Sequence, residues 1–341
     1  MEIVLASIGI VASTVDCRAI LGIEDDAPLL PPNFDGGVHP VGEQRFDDGG
    51  RSDEADGGAD GGTGSSSSEN VDRTEPQWPL PVLSPPPANY EVTDDTVLDK
   101  TTGLMWQRKI GNQPTKNWPE PPRVCAALQL AGYDDWRLPT RIEFVSIMDY
   151  GGNSDAINRD RFPLEPNVSN YSAYWTISAY VAKRRTGARW EMDPVSGTAW
   201  LYDENVGPKH FRCVRGGRVS STQPRFTVEG TLVRDTRTGL VWEKSAGPAQ
   251  DITSARHRCE DLKPAGYRLP SLREIQTLID ERQTEVPIWY DVFDPPPSGT
   301  SPVLWTSAYD SRSEKYAFID FSSGGVSMSQ SDTLASARCV R

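Results

Sequence analysis

Histidine is scarce in this 341-residue sequence, which has only His39, His210 and His257. No serine or cysteine stands in a recognisable order with them, so a hydrolytic triad or a Cys–His pair has nothing to be built from. The five cysteines form no CxxC and no Cys/His cluster at zinc spacing, which excludes a structural metal site. Lysine and arginine do not gather into a basic stripe, and nucleic acid is excluded as a partner. The apolar run at residues 3–12 (IVLASIGIVA) is too short to span a bilayer. These absences leave no enzyme, cofactor or metal to expect.

Negative charge is present but badly distributed. Of a formal net charge of −13, residues 24–72 hold thirteen Asp and Glu against only Arg45 and Arg51. The rest of the chain is close to neutral, so its acidity says little about partners of the folded part. The acidic segment, with DDGGRSDEADGGADGGTGSSSSEN at its centre, cannot bury enough apolar surface to offset the entropy of ordering it. A flexible, self-repelling spacer is expected there, stiffened at its end by the proline-rich PQWPLPVLSPPP. Ahead of it, the apolar run has the length of a signal-peptide core, and Cys17 follows as the acceptor of a lipoprotein would. Export, with a membrane tether through a lipidated Cys17, is the expectation.

Beyond Tyr90 the sequence repeats itself. Asp99-Lys100-Thr101-Thr102-Gly103-Leu104-Met105-Trp106 returns as Asp235-Thr236-Arg237-Thr238-Gly239-Leu240-Val241-Trp242. Cys125 is answered by Cys259, and GYDDWRLPTRIE by the shorter GYRLPSLRE. Trp175-Thr176 returns as Trp305-Thr306, and Arg212-Cys213-Val214-Arg215 as Arg338-Cys339-Val340-Arg341. Five landmarks in one order make two diverged tandem copies of one domain. The boundaries are a leader at 1–17, a spacer at 18–88, copy one at 89–218 and copy two at 224–341.

Each landmark has a local meaning. Asp-x-x-x-Gly between β-branched stretches is hairpin chemistry, with Gly103 and Gly239 free to take positive φ. Apolar spacing over residues 122–130 and 254–262 predicts a first helix carrying Cys125 or Cys259. Thr140-x-x-Glu143 and Ser271-x-x-Glu274 are capping boxes that start a second helix. A strand hairpin follows, with 190–193 and 198–202 as its arms in copy one and 316–321 in the matching place of copy two. Cys125 with Cys213 and Cys259 with Cys339 would then join the first helix to the last strand, which implies an oxidising compartment.

The runs TTGLMWQ, WRLPTRIE, YWTISAY and FRCVRGG are similar to those of the bacterial exported domains called DUF1566, or the Legionella collagen-like protein C-terminal domain family. The resemblance covers both copies and implies an α+β chain of two tandem C-type-lectin-like domains. In each, two helices flank a small twisted antiparallel sheet, and a disulfide ties helix to last strand. It also implies adhesion or surface attachment. Copy two departs from the pattern, with Tyr267 where Trp136 stands. Glu165-Pro166-Asn167 spells part of a lectin calcium motif, but no Trp-Asn-Asp accompanies it and copy two has no counterpart. A turn is the expectation there.

The residues kept in both copies, Trp106/Trp242, Trp175/Trp305 and Arg137-Leu138-Pro139/Arg268-Leu269-Pro270, read as core, with the arginines bonding backbone carbonyls. Function belongs where the copies differ. In copy one these stretches are 151–173 and 181–209, with Arg184, Arg185, Arg189, Trp190, Trp200 and Tyr202. In copy two they are 281–302 and 310–334, and Trp289, Tyr309 and Tyr316 are the candidates. Aromatic rings suit stacking on sugars, and arginines suit acidic groups. Alternate residues of a hairpin must also face the core, which competes for Trp190 and Trp200. The expected partner is a polysaccharide or an envelope protein. The alternatives are an assembly module binding another envelope protein, or an enzyme of the formylglycine-generating-enzyme-like fold, which would need a free thiol or a metal.

Overall fold

A computed structural model describes residues 75–78, 89–110, 115–149, 155–164, 173–180, 187–203, 207–217, 224–281, 292–295, 302–311 and 313–341, with backbone only at Tyr180 and 200–203. Copy one runs β1 (Tyr90–Val92), β2 (Thr96–Asp99), β3 (Leu104–Gln107), α1 (Glu120–Ala126), α2 (Arg141–Ser146), β4 (Tyr174–Tyr180), β5 (Ala188–Met192), β6 (Ala199–Asp203) and β7 (Val214–Gly216). Copy two follows with β8 (Phe226–Glu229), β9 (Leu232–Asp235), β10 (Val241–Glu243), α3 (Ile252–Asp261), α4 (Leu272–Gln276), β11 (Val303–Asp310), β12 (Lys315–Asp320) and β13 (Gly325–Ser329). Each copy is a mixed α and β domain holding two small antiparallel sheets. In copy one the orders are β1-β2-β3-β7 and β4-β5-β6; in copy two they are β10-β9-β8 and β11-β12-β13. Where β7 closes the first sheet of copy one, a bridge from Val340 to Trp242 does the same in copy two.

The repeated runs make the same structure twice. In the β2–β3 turn, Asp99 Oδ1 accepts from Thr101 N and the Gly103 amide donates to the Asp99 carbonyl, with Gly103 at φ 70°. Asp235 and Gly239 repeat this, with φ 80°. A Cβ at either glycine would be strained in that left-handed region. Both capping boxes form: Thr140 and Glu143, and Ser271 and Glu274, exchange side-chain and backbone hydrogen bonds.

The Arg-Leu-Pro run locks these boxes to the end of the domain. Arg137 and Arg268 pair by backbone with Val214 and Val340. Their side chains were expected on backbone carbonyls, and Leu138 and Leu269 do accept at 3.4 and 3.2 Å. The closer partner is a carboxylate: each guanidinium clamps its capping glutamate with two bonds, at 2.7 and 2.6 Å on Glu143 and 2.8 and 2.7 Å on Glu274. A glutamate that both caps a helix and carries a bidentate arginine is fully used, which is why it can be buried.

Cys125–Cys213 and Cys259–Cys339 are the disulfides, closing separations of 88 and 80 residues with Cα atoms 5.5 and 5.4 Å apart. Trp106, Trp242, Trp175 and Trp305 are wholly buried. The last two donate through Nε1 to the carbonyls of Lys116 and Gln250, equivalent positions before the first helix.

The two copies share a core, which two linked modules would not require. All described residues fall in one compact unit, Val71–Arg341. Ile142, Phe144 and Val145 of α2 pack in one cluster with Leu272, Ile275, Leu278 and Ile279 from α4 and its end. Arg141, the first residue of α2, crosses the seam. Its Nε donates to Glu281 Oε1 at 2.9 Å and its Nη2 to the Gln276 carbonyl at 3.1 Å, with both charged side chains at most 2% exposed. In return Arg273 of α4 donates to the Met148 carbonyl. Trp190 lies beneath Arg141, 5.2 Å from ring centroid to guanidinium, and rests on Gly324 of copy two. A Cβ at Gly324 would come within 2.5 Å of the indole.

Candidate functional site

The exposed surface that differs between the copies is built on one shared irregularity. Strand β4 pairs with β5 at Trp175–Glu191 and resumes at Ala179–Arg189, so it takes four residues where its partner takes two. Strand β11 does the same against β12, from Trp305–Phe318 to Tyr309–Tyr316. The bulge is held identically in both places. Thr176 and Thr306 donate through Oγ1 to the carbonyls of Trp190 and Ala317, at 2.7 and 2.8 Å. The amides of Ile177 and Ser307, inside the bulge, donate to the carbonyls of Pro139 and Pro270 at 2.8 Å. The Arg-Leu-Pro run therefore supports the bulge as well as the helix cap. Bulges re-aim side chains, and these turn the outer half of each long strand toward solvent.

The same register position carries different chemistry in each copy. In copy one Arg189 lies over Trp118, its guanidinium carbon 3.5 Å from the ring centroid, and donates to the Ile177 carbonyl at 2.9 Å. Ile177 itself is 38% exposed. In copy two Tyr309, 46% exposed, meets Tyr316 with ring centroids 4.8 Å apart. Arg189, Tyr309 and Tyr316 were candidates from sequence. Trp118 and Ile177 were not, because nothing in a single chain says that a Trp-Pro dipeptide will stand beside a strand far along the sequence.

Trp190 belongs to the core: it is 0% exposed, and the competing demand of hairpin alternation decides its place. Trp200 and Tyr202 lie on β6, paired by backbone with Glu191 and Arg189; their side chains lie outside the described residues. Arg184, Arg185, Trp289, Cys17 and the Glu165-Pro166-Asn167 triplet also lie outside them. Among the described residues no group of His, Cys, Asp or Glu is placed to hold a metal ion. His210 stacks on Tyr174 at 5.4 Å, and His257 is an exposed residue of α3.

Two residues along β5 from Arg189, and on the same face, stands Glu191. It is wholly buried where copy two has Phe318, and Lys209 Nζ lies 3.4 Å from Oε2. Burial pushes its carboxyl from 4.5 up to about 7, against the opposing pull of Lys209. The folded state then holds a proton that the unfolded chain has released. The stability this gives is complete below pH 4.5 and is lost as pH rises to about 7. The loss is on the order of 3 kcal/mol. Asp99, also raised by burial, adds in the same direction. Asp135, Asp251 and Asp294 are lowered, so they contribute above their ordinary 3.8 and lose that only in acid. The purified chain should therefore melt at a higher temperature at pH 5 than at pH 8, and Glu191→Gln should remove most of the difference. A difference that survives the substitution intact would assign it elsewhere.

No curated protein matches the chain. A family model does, and it does so twice, over residues 95–215 and 231–341. Those spans contain the turn, both helices, the bulged strand and the terminal cysteine of each copy, so the chain belongs to the Lcl C-terminal domain family.

Proposed function

We propose that this is an exported, non-catalytic binding protein of the cell envelope, whose two lectin-like modules recognise a polysaccharide. The observation that carries the reading is the shared bulge. At one register position copy two holds a tyrosine pair in which Tyr309 is 46% exposed, and copy one holds Arg189 over the partly buried Trp118, beside the exposed Ile177. Flat apolar rings beside polar backbone suit the faces of sugar rings, and two such sites on one chain favour a repeating ligand. The C-type-lectin-like assignment fits the short helices flanking small sheets and the disulfide that ties the first helix of each copy to its closing segment, just before β7 in copy one and beside the Trp242–Val340 bridge in copy two. Export fits the two disulfides, and Cys17 would anchor the acidic spacer to a membrane.

A polysaccharide and glycan array probed with the full chain, with and without calcium, tests the reading. Binding should be saturable. Tyr309→Ala should weaken binding through copy two by about tenfold, the equivalent of about 1.4 kcal/mol, without shifting the melting temperature, because the ring is half outside the fold. Retention of a protein from envelope extract, with no polysaccharide bound, would move the assignment to an assembly module.

A further inference from the structure

The proline-rich end of the spacer carries Trp78, the first tryptophan of the chain, and this ring is not left in solvent. Trp78 is 3% exposed and belongs to the same buried cluster that holds α2 of copy one and α4 of copy two. Its neighbours alternate: Pro76 is buried, while Glu75 and Gln77 are half-buried. That is the pattern of an extended chain laid along a surface, with every second side chain turned inward. The compact unit accordingly begins at Val71, ahead of both spans matched by the family model.

The sequence explains why so short a segment can dock. Residues 75–78 form neither helix nor strand. Pro76 and Pro79 fix φ at their own positions and hold the residues before them, Glu75 and Trp78, in extended backbone. Gln77 Nε2 donates to the Glu75 carbonyl at 3.1 Å, across Pro76. A segment so restricted has little conformational entropy left to lose on docking. One indole then supplies a large buried apolar area.

The same features limit how firmly the segment is held. The disulfides join Cys125 to Cys213 and Cys259 to Cys339, and residues 75–78 lie in neither loop. Among the described residues, the next one along the chain that packs against the cluster is Tyr90, in β1. Short segments outside the sheets and the covalent loops open at lower free energy than the core beneath them.

We propose that residues 75–78 are a releasable strap: Trp78 plugs an apolar seat in the core that the two copies share, and leaves it while both copies stay folded. Docked, the strap makes the spacer part from the body at that core. Released, it hands back about fifteen residues, at most roughly 50 Å of further reach, and uncovers the seat. The strap shares no residue with the bulged strands and is independent of the polysaccharide reading.

The full chain labelled with fluorotryptophan tests this by fluorine NMR, with Trp78→Phe assigning one signal among those of the ten tryptophans. In native buffer the Trp78 signal should be as well shielded from a soluble paramagnetic agent as those of the wholly buried Trp106 and Trp242. In urea below the unfolding midpoint it should become accessible first, with an open population about tenfold that of Trp106 or more. Trp78→Ala should lower the melting temperature by about 5 °C or more and, while folded, bind an apolar fluorescent dye that the native chain does not. Trp78→Phe should keep most of the stability. A Trp78 signal accessible in native buffer, or one that opens only together with those of Trp106 and Trp242, overturns the proposal. So does a Trp78→Ala chain that melts with the native chain and binds no dye.

Discussion

Trp190→Ala is expected to cost about 3–5 kcal/mol and to loosen both copies, although the residue lies in only one. The ring is wholly buried, with the Arg141 guanidinium over one side and Gly324 of the other copy against its edge. Removing it leaves a hole at the seam and takes the packed face away from a buried ion pair. Chemical unfolding followed by a probe in each copy should show both midpoints falling together. A double-mutant cycle sharpens the point. Gly324→Ala in the native chain brings a Cβ to 2.5 Å of the indole at a backbone φ of +73°, so it is strained and overpacked. In a Trp190→Phe background the clash with the indole is relieved, while the φ strain and the close approach to Ile279 Cδ1, at 3.0 Å, remain. The two substitutions should therefore couple by about 0.5–3 kcal/mol. Independent midpoints and additive costs would mean that the copies fold as separate bodies.

Removing either disulfide, as Cys125→Ala with Cys213→Ala or Cys259→Ala with Cys339→Ala, is expected to cost about 4–5 kcal/mol from loop entropy alone. Separations of 88 and 80 residues differ so little that the logarithm makes the two losses equal to about 0.1 kcal/mol. Equality is the useful part of this prediction. The environments are unlike, since Cys339 Sγ has Arg258 at 3.0 Å and Cys125–Cys213 sits among Trp136, Leu138, Trp175 and Phe211. If equilibrium unfolding finds the costs well apart, native packing around the sulfurs governs them rather than the unfolded chain.

What the sequence made legible was local or paired within one copy. Asp99 to Gly103, the two capping boxes and the four cysteines each announce themselves, because their chemistry fits within a few residues or has only one partner type. The first helix was placed well in its start and poorly in its end: α1 stops at Ala126, and Ala131 follows at φ 53°. The seam was invisible. Arg141 reads as an ordinary residue in the first turn of a helix, and Glu281 as the start of a variable loop; only the fold brings together side chains so far apart in sequence. Trp190 was misleading for the same reason, since an aromatic in a hairpin looks alike whether it faces a ligand or a neighbouring copy. The bulge left a faint trace, a threonine after the tryptophan repeated in each copy, but its function as a hydrogen-bond staple depends on a strand that has yet to be paired.

The shared core also bears on how such a chain can change over generations. A duplicated domain standing apart from its twin can be lost by one deletion with little harm to the other. Here a deletion would bare Ile142, Phe144 and Val145, or Leu272, Ile275 and Ile279, to solvent and leave Arg141 or Glu281 without its ion-pair partner. The duplication has become irreversible in a single step. Variation is then pushed outward, to the bulged strands, where each copy can acquire its own chemistry without disturbing the seam.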